Sequence, residues 1–284
     1  MLSDVVDLLA CPHCRRPLVQ CDRTVRCGAG HTFDIARQGY VNLRSGRRTV
    51  GTADTADMVA ARSAFLDAGH YAPITRLVVS AAADTVRDAG AVIDVGAGPG
   101  HHLASVLDAL PDRRGLALDL STYAARRAAR CHPRAGAVVC DVWRDLPVRP
   151  ATAAAALSIF APRNAAEIAR VLTARGALVV VTPLPTHLTE LIGALDLLRV
   201  DADKPDRLRR QLAPAFVREA EERLTYALAL SRADVATVVR MGPSAWHING
   251  AALAERTAAL PEPVEVTVAV RLSVHRRRDE PRRR

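Results

Sequence analysis

Aromatic residues make up only 4% of the 284 positions, and lysine occurs once, at Lys204. Positive charge is therefore nearly all arginine, which with so much alanine is what a GC-rich genome gives, and the arginine preference by itself carries no functional meaning. No apolar run approaches the roughly 20 residues of a membrane span; the longest, near Ala151 to Ala161, reads as an alanine-rich buried strand. Met1 to Ala10 contains Asp4 and Asp7 and lacks a basic start followed by an apolar stretch, so no secretory leader is expected. The six cysteines do not form a secreted disulfide pattern, and the protein is expected to be cytoplasmic. Cys131 and Cys140 flank a predicted strand as core thiols.

Nearly half the residues are apolar, enough to bury one full-sized domain with a small satellite, and this excludes a disordered chain. The net charge of +9 lies at the ends: residues 1–50 carry eight Arg against four acids, residues 271–284 seven Arg against Asp279 and Glu280, and the middle balances. A neutral body with basic extremities suits a reader of polyanions, whose phosphates supply most sequence-independent affinity. A solvated tail is the alternative for Arg276 to Arg284.

Four metal-ligand residue types stand in Cys11-x2-Cys14-x12-Cys27-x3-His31. Two turns that each fold a pair of ligands toward one point close a tetrahedron, giving a structural zinc site with nothing left open for catalysis. Cys21 and His13 are rivals for the fourth place. A DNA-reading finger would need histidine at both distal positions and fails at Cys27. Residues 1–44 are too few to build a core, so metal would order them.

Residues 45–90 read as linker and helical lead-in, with Ser45 to Asp57 polar and helices over Met58–Asp67 and Ile74–Val86. From Ala91 strands and helices alternate, which predicts a parallel sheet. Strands fall at Ala91–Val95, Gly115–Asp119, Ala137–Cys140, Ala153–Phe160 and Ala177–Thr182; helices fall at Gly100–Ala109, Thr122–Cys131 and Ala165–Leu172. Further on, helices Thr186–Leu198, Pro205–Leu212 and Ala233–Val239, a polar stretch Asp201–Asp206, and strands Arg223–Leu230 and Val264–Val274 are expected. The whole predicts a seven-stranded, Rossmann-like α/β domain over 91–275, its last strand antiparallel, with a basic tail over 276–284.

At the end of the first of these strands stands Asp94-Val95-Gly96-Ala97-Gly98-Pro99-Gly100. A dinucleotide fingerprint would need glycine at 101, where His101 stands instead. Asp94-x-Gly96-x-Gly98-x-Gly100 resembles the first motif of class I S-adenosylmethionine (SAM) methyltransferases, in which backbone must approach the cofactor closely. Asp119 ends the second strand, where an acid can accept both ribose hydroxyls, and Asp141-Val142 ends the third, where adenine would sit. Ordinary turn glycines and helix-capping acids are the alternative.

Cys11-Pro-His-Cys14, Gly30-His31-Thr-Phe-Asp34, Gly39-Tyr-Val-Asn-Leu43, Ala64-Phe-Leu-Asp-Ala-Gly-His-Tyr71, Asp94 to Gly100, Phe160-Ala-Pro162, Thr182-Pro183, His187-Leu188 and Met241-Gly-Pro-Ser-Ala-Trp246 together resemble the guanine-N(1) methyltransferases of 23S ribosomal RNA, the RlmA/TlrB group, across nearly the whole chain. The resemblance implies zinc on Cys11, Cys14, Cys27 and His31, and a SAM site lined by Tyr71, the Gly96 to Gly100 loop and His187. It also implies a homodimer whose paired zinc modules border an RNA cleft. Arg37-Gln38-Gly39, Asp54 to Ala61, His101-His102-Leu103, Phe160 to Asn164 and Gly242 to His247 look more like the branch from antibiotic-producing actinobacteria, which methylates guanine 748 and confers tylosin resistance.

N(1) of guanine is protonated at neutral pH, so something must free its lone pair or stabilise charge on the adjacent carbonyl. Phe160-Ala161-Pro162 follows the fourth strand, where amine methyltransferases carry an Asn/Asp-Pro-Pro-aromatic motif whose amide or acid is missing here. Phe160 is expected to contact the extruded guanine, and Arg163 or Asn164 to stabilise its oxygen; a phosphate contact or a solvated helix start is the other reading of Arg163, and helix capping that of His187. A target base must be unstacked to be reached, which favours a hairpin loop. Phe33, Tyr40, Trp143 and Trp246 are the stacking candidates. A small-molecule SAM methyltransferase would have no need of the zinc module, and a non-enzymatic zinc-bearing RNA-binding protein no need of an intact glycine turn.

Overall fold

The computed structural model describes residues 1–45, 53–195, 197, 204–246 and 249–278. After two 3-10 turns, Leu2–Asp4 and Val6–Leu8, three short strands β1 (Leu18–Cys21), β2 (Thr24–Cys27) and β3 (Thr32–Asp34) form an antiparallel sheet. Then follow β4 (Tyr40–Asn42), α1 (Ala56–Asp67), α2 (Ala72–Thr85), β5 (Ala91–Val95), α3 (His101–Ala109), β6 (Gly115–Asp119), α4 (Thr122–Ala128) and β7 (Ala135–Val139). The chain continues with β8 (Ala153–Ile159), α5 (Ala165–Val171), β9 (Leu172–Pro183), α6 (Thr189–Leu195), α7 (Lys204–Leu212), β10 (Phe216–Leu230), α8 (Arg232–Arg240), α9 (Gly250–Ala258) and β11 (Val264–Arg277).

The large sheet runs β10-β11-β9-β8-β5-β6-β7-β4, parallel except where β11 inserts antiparallel between β9 and β10. Strands β5, β7 and β8 are apolar along their length apart from Asp94 and Ser158 and buried at every residue, as strands covered on both faces must be. Alternation sends Val92, Leu157 and Val179 to one face, with α2, α3 and α8, and Ile93, Ala156 and Leu178 to the other, with α5 and α7. Side-chain caps start the helices: Thr55 accepts from Met58 N, Ser121 from Ala124 N, Asn164 from Glu167 N and Ser231 from Asp234 N.

The N-terminal module shares the second of these cores. Leu2, Val5, Leu8, Leu9, Leu18 and Val25 pack in one cluster with Val95, Leu118 and Val138. Its exit is stitched in as well, because β4 pairs in parallel with β7, Tyr40 opposite Ala137. This eighth strand was not expected, and the boundary drawn at residue 44 marks no break in packing. At the other end β11 extends to Arg277, so the tail expected over 276–284 begins later: Arg276 pairs with Glu219 at 2.6 Å, Arg277 donates to Leu172 O at 3.0 Å and Arg278 to Ala213 O at 2.6 Å. Residues 279–284 and the first part of the polar stretch, Asp201 to Asp203, lie outside the described residues, as does most of the linker, 46–52. Among the described residues no helix is long and apolar enough to cross a membrane.

Candidate functional site

Four ligand atoms converge in the N-terminal module. The Cys11, Cys14 and Cys27 sulfurs and a His31 ring nitrogen all lie within 4.8 Å of one another. Tetrahedral zinc, with bonds of about 2.3 Å to sulfur and 2.0–2.1 Å to nitrogen, places sulfurs about 3.8 Å apart and sulfur about 3.5 Å from nitrogen. Here Cys14 and Cys27 sulfurs are 3.6 Å apart, and His31 Nδ1 is 3.5 Å from Cys11 and 3.4 Å from Cys27. The residues fit the ion, and four ligands close its shell. Gly30, at φ 87°, makes the turn that brings His31 back to Cys27. Burial alone would push the Cys27 thiol up, but hydrogen bonds from the Ala29 backbone and from His31 outweigh it and bring it down to about 6, making a thiolate accessible. Neither rival joins: His13 stacks on Phe33, ring centroids 5.8 Å apart, and Cys21 ends β1 outside the cluster.

The glycine turn leaves β5 and enters α3 with Gly96, Gly98 and Gly100 at φ 77°, 55° and 84°. A Cβ on Gly96 would meet the Ala161 Cβ at 2.5 Å, and one on Gly100 the Cys131 sulfur at 2.7 Å, so both positions also require glycine for space. Gly96 N and Ala97 N both donate to Leu118 O, at 2.8 and 3.1 Å, which fixes the turn against the end of β6. Asp119 follows there: one carboxylate oxygen accepts from Gly98 N and the other from Ser121 N, each at 2.8 Å. Each oxygen keeps a lone pair, so the pair of ribose hydroxyls of a nucleoside can still be received. Burial raises the Asp119 pKa although these amides oppose it. Asp94 is 2% exposed, and burial followed by the Asp119 charge pushes it up to about 8. Asp141 accepts from Trp143 N at 3.0 Å and pairs with Arg144 at 3.4 Å. A cavity of about 590 Å³ beside the end of β6, walled by Asp54, Leu120, Ser121 and Tyr123, has room for a nucleoside.

Across from the turn, three rings gather. Tyr71 Oη lies 3.2 Å from His187 Nε2, and the Phe160 ring is 6.0 Å from Tyr71 and 5.8 Å from His187. Ala269 N donates to His187 Nδ1 at 3.2 Å, so the neutral ring carries its proton on Nε2 and donates to Tyr71. Burial pushes the Tyr71 hydroxyl up, so it keeps its proton and can donate onward. Phe160 is 40% exposed and left-handed at φ 53°, a conformation that costs a non-glycine residue about 1 kcal/mol.

Other sequence candidates are placed elsewhere. Arg163 is buried, donating through Nε to Ser158 Oγ at 3.2 Å and through a terminal nitrogen to Ala161 O at 2.6 Å, so its guanidinium is committed to the interior. Asn164 caps α5 and donates to Trp143 O at 3.1 Å, which makes it a tether of the loop after β7. Neither is brought to the ring cluster: Ser158 Oγ and Ala161 O take the Arg163 side chain, and the loop after β7 takes that of Asn164. The Val142 and Ala97 side chains are buried in the two cores. His101 turns toward Asp67, 3.9 Å away, on α1. Arg62, absent from the sequence candidates, lies over the turn: it would be 3.4 Å from a Gly98 Cβ, pairs with Asp54 and donates to Met241 O at 2.7 Å. No local motif marks it, since its partners come from residues 8 and 179 positions away.

The sheet order, the antiparallel β11 and the glycine turn facing an acid on the neighbouring strand end define a class I methyltransferase domain, here carrying a zinc ribbon. The profile of the RlmA N-terminal zinc-ribbon family matches residues 9–44. The 23S rRNA (guanine(748)-N(1))-methyltransferase of Streptomyces fradiae is 53% identical over 97% of this chain and 99% of its own length. A putative 23S rRNA (guanine-N(1)-)-methyltransferase of Micromonospora griseorubida is 50% identical over 97% and 99%. The putative enzyme YxjB of Bacillus subtilis is 29% identical over 76% and 78%. The chain belongs to the 23S rRNA (guanine-N(1)-)-methyltransferase family.

Proposed function

We propose that this chain transfers the methyl group of SAM to N(1) of guanine 748 in a hairpin loop of 23S rRNA. The observation that carries the reading is the near-full-length 53% identity to the enzyme named for that nucleotide. It is supported by a turn that no side chain could share at Gly96 and by the two open lone pairs of Asp119.

SAM, when bound, supplies an electrophilic methyl on a sulfonium sulfur. Asp119 would receive its ribose hydroxyls, the Gly96 to Gly100 backbone would lie against it, Asp141 and the backbone of Val142 would hold its base, and Tyr71, supported by His187, would donate to its carboxylate. Phe160, the exposed ring of the cluster, packs on the extruded guanine. None of these groups is a strong base at neutral pH: Tyr71 and His187 hold their protons, and Asp94 is mostly neutral. The chain therefore acts by holding N(1) in line with the methyl, the donor sulfur leaving as a neutral thioether and the N(1) proton passing to solvent water. Zinc on Cys11, Cys14, Cys27 and His31 holds the N-terminal module that grips RNA. The same reading makes the protein a cytoplasmic homodimer whose product resists tylosin-type macrolides.

The test is primer extension on 23S rRNA treated with protein and SAM, since a methyl on N(1) blocks base pairing. A new stop at guanine 748 is expected. Transfer of labelled methyl with no stop there would refute the position, and no transfer to rRNA would refute the activity.

A further inference from the structure

Beside the cofactor turn, on its α1 and α4 side, lies a cavity of about 730 Å³, within the ~300–1,000 Å³ of ligand clefts. Its walls come from both functional modules. Gln38 reaches it from the chain leaving the zinc ribbon, and Pro99 and His101 flank the last glycine of the cofactor turn. Arg126, Arg127 and Arg130 line the remaining side together with Tyr123, which is 46% exposed.

These arginines differ from those the fold ties to acids. Arg15, Arg62, Arg114, Arg170 and Arg276 each pair with a described carboxylate, whereas no described carboxylate pairs with Arg126, Arg127 or Arg130. Ala124, Ala125 and Ala128 bury the other face of α4, so all three guanidinium groups are held toward the cavity side. Arg126 and Arg130 are four residues apart, an arrangement in which like charges repel. The C-terminus of α4 favours the cations Arg126 and Arg127 in its last turn, whereas Arg130 lies past the cap at Ala129. The dipole gives no reason for Arg130 or for three guanidinium groups on one cavity wall, whereas an anion with several phosphates does.

We propose that this cavity seats the phosphodiester backbone of the RNA nucleotides flanking the target guanine. Arg126, Arg127 and Arg130 bind the phosphates, and Tyr123 packs on a sugar or base. The inference rests on the reading of this chain as an rRNA methyltransferase and assigns where the strand runs between ribbon and cofactor turn. Three phosphate contacts to single-stranded RNA correspond to a salt slope of about 2 in log K against log salt.

The test uses full-length, zinc-loaded protein with Arg126→Gln, Arg127→Gln and Arg130→Gln, singly and together. The probe is a synthetic hairpin carrying guanine 748, titrated by fluorescence anisotropy between about 50 and 200 mM KCl. The triple variant is expected to bind at least about tenfold more weakly, with its salt slope reduced by about 2, and to show a raised KM for RNA. Labelled-SAM binding is expected to match the wild type, which also reports that the variant is folded; if the triple variant melts early, the single variants carry the test, each with a slope change near 0.7. Unchanged affinity and slope in variants that bind SAM would overturn the proposal, as would a parallel loss of SAM binding, which would make the cavity part of the donor site. A wild type that binds the hairpin without methylating it refutes the proposed activity instead, and the salt slopes still decide the cavity.

Discussion

Asp94→Asn should change how the stability of this protein responds to pH. Asp94 lies at the end of β5 behind the glycine turn, 2% exposed, its carboxyl raised by burial and by the Asp119 charge to about 8. In the unfolded chain an aspartate ionises near about 4. Between about pH 4 and 8 the native state therefore keeps a proton that the unfolded state has lost. Stability from this group is fully present below about pH 4, falls by a little over 1 kcal/mol per pH unit through the window, and levels off above about 8. Asparagine has the same shape and no titration, so it removes that slope. Urea denaturation at about pH 5.5 and 7.5, at constant ionic strength, should show the variant gaining about 2.5 kcal/mol relative to the wild type over the two units. Parallel curves, within about 0.5 kcal/mol, would mean that Asp94 is already ionised in the native protein and would refute the reasoning.

Chelation, or Cys27→Ser, should release the ion and open residues of β1 to β3 to protease, because structural zinc contributes on the order of 10 kcal/mol to such a module. It should also lower the melting temperature of the whole chain, since Leu9, Leu18 and Val25 share a core with Val95 and Leu118; an unchanged melt in metal-free protein would contradict that shared core. Gly96→Ala, whose Cβ would lie 2.5 Å from that of Ala161 at a left-handed φ, should abolish SAM binding and cost about 1–3 kcal/mol, while Gly28→Ala, with nothing within 4 Å, should be silent. Asn164→Ala should lower stability by about 1 kcal/mol through the lost cap and leave methyl transfer at saturating substrates unaltered; a large kcat loss would return it to the catalytic group. Phe160→Ala should leave stability within about 0.5 kcal/mol, because the ring is 40% exposed, yet slow transfer at least about tenfold.

What can be read from the sequence is what local pattern dictates. Strands β5 and β6 fall to the residue where the pattern puts them because their chemistry is continuous: apolar runs ended by Asp94 and Asp119. The glycine turn and the Cys and His spacing are legible for the same reason, each being a few residues that constrain one another along the chain. The misses share the opposite character. Tyr40–Asn42 is too short to read as a strand, and only the open edge of β7 makes it one. β10 is expected from Arg223 but starts at Phe216, since its exposed, charged first half is held only by pairing with β11. α9, Gly250–Ala258, was not expected at all. The site shows the same division. Arg163 and Asn164 carry the right groups at the right strand end, but whether a guanidinium or an amide faces substrate depends on which backbone groups it meets, and Ala161 O and Trp143 O are near enough to take them. Arg62 is the converse, a residue without a motif whose position over Gly98 follows from Asp54 and Met241 O. Arg276 to Arg278 complete the case: as sequence they are indistinguishable from a solvated basic tail, yet Glu219, Leu172 O and Ala213 O bind them into the edge of the fold, so the charge free to meet RNA at that end is smaller than the composition implies.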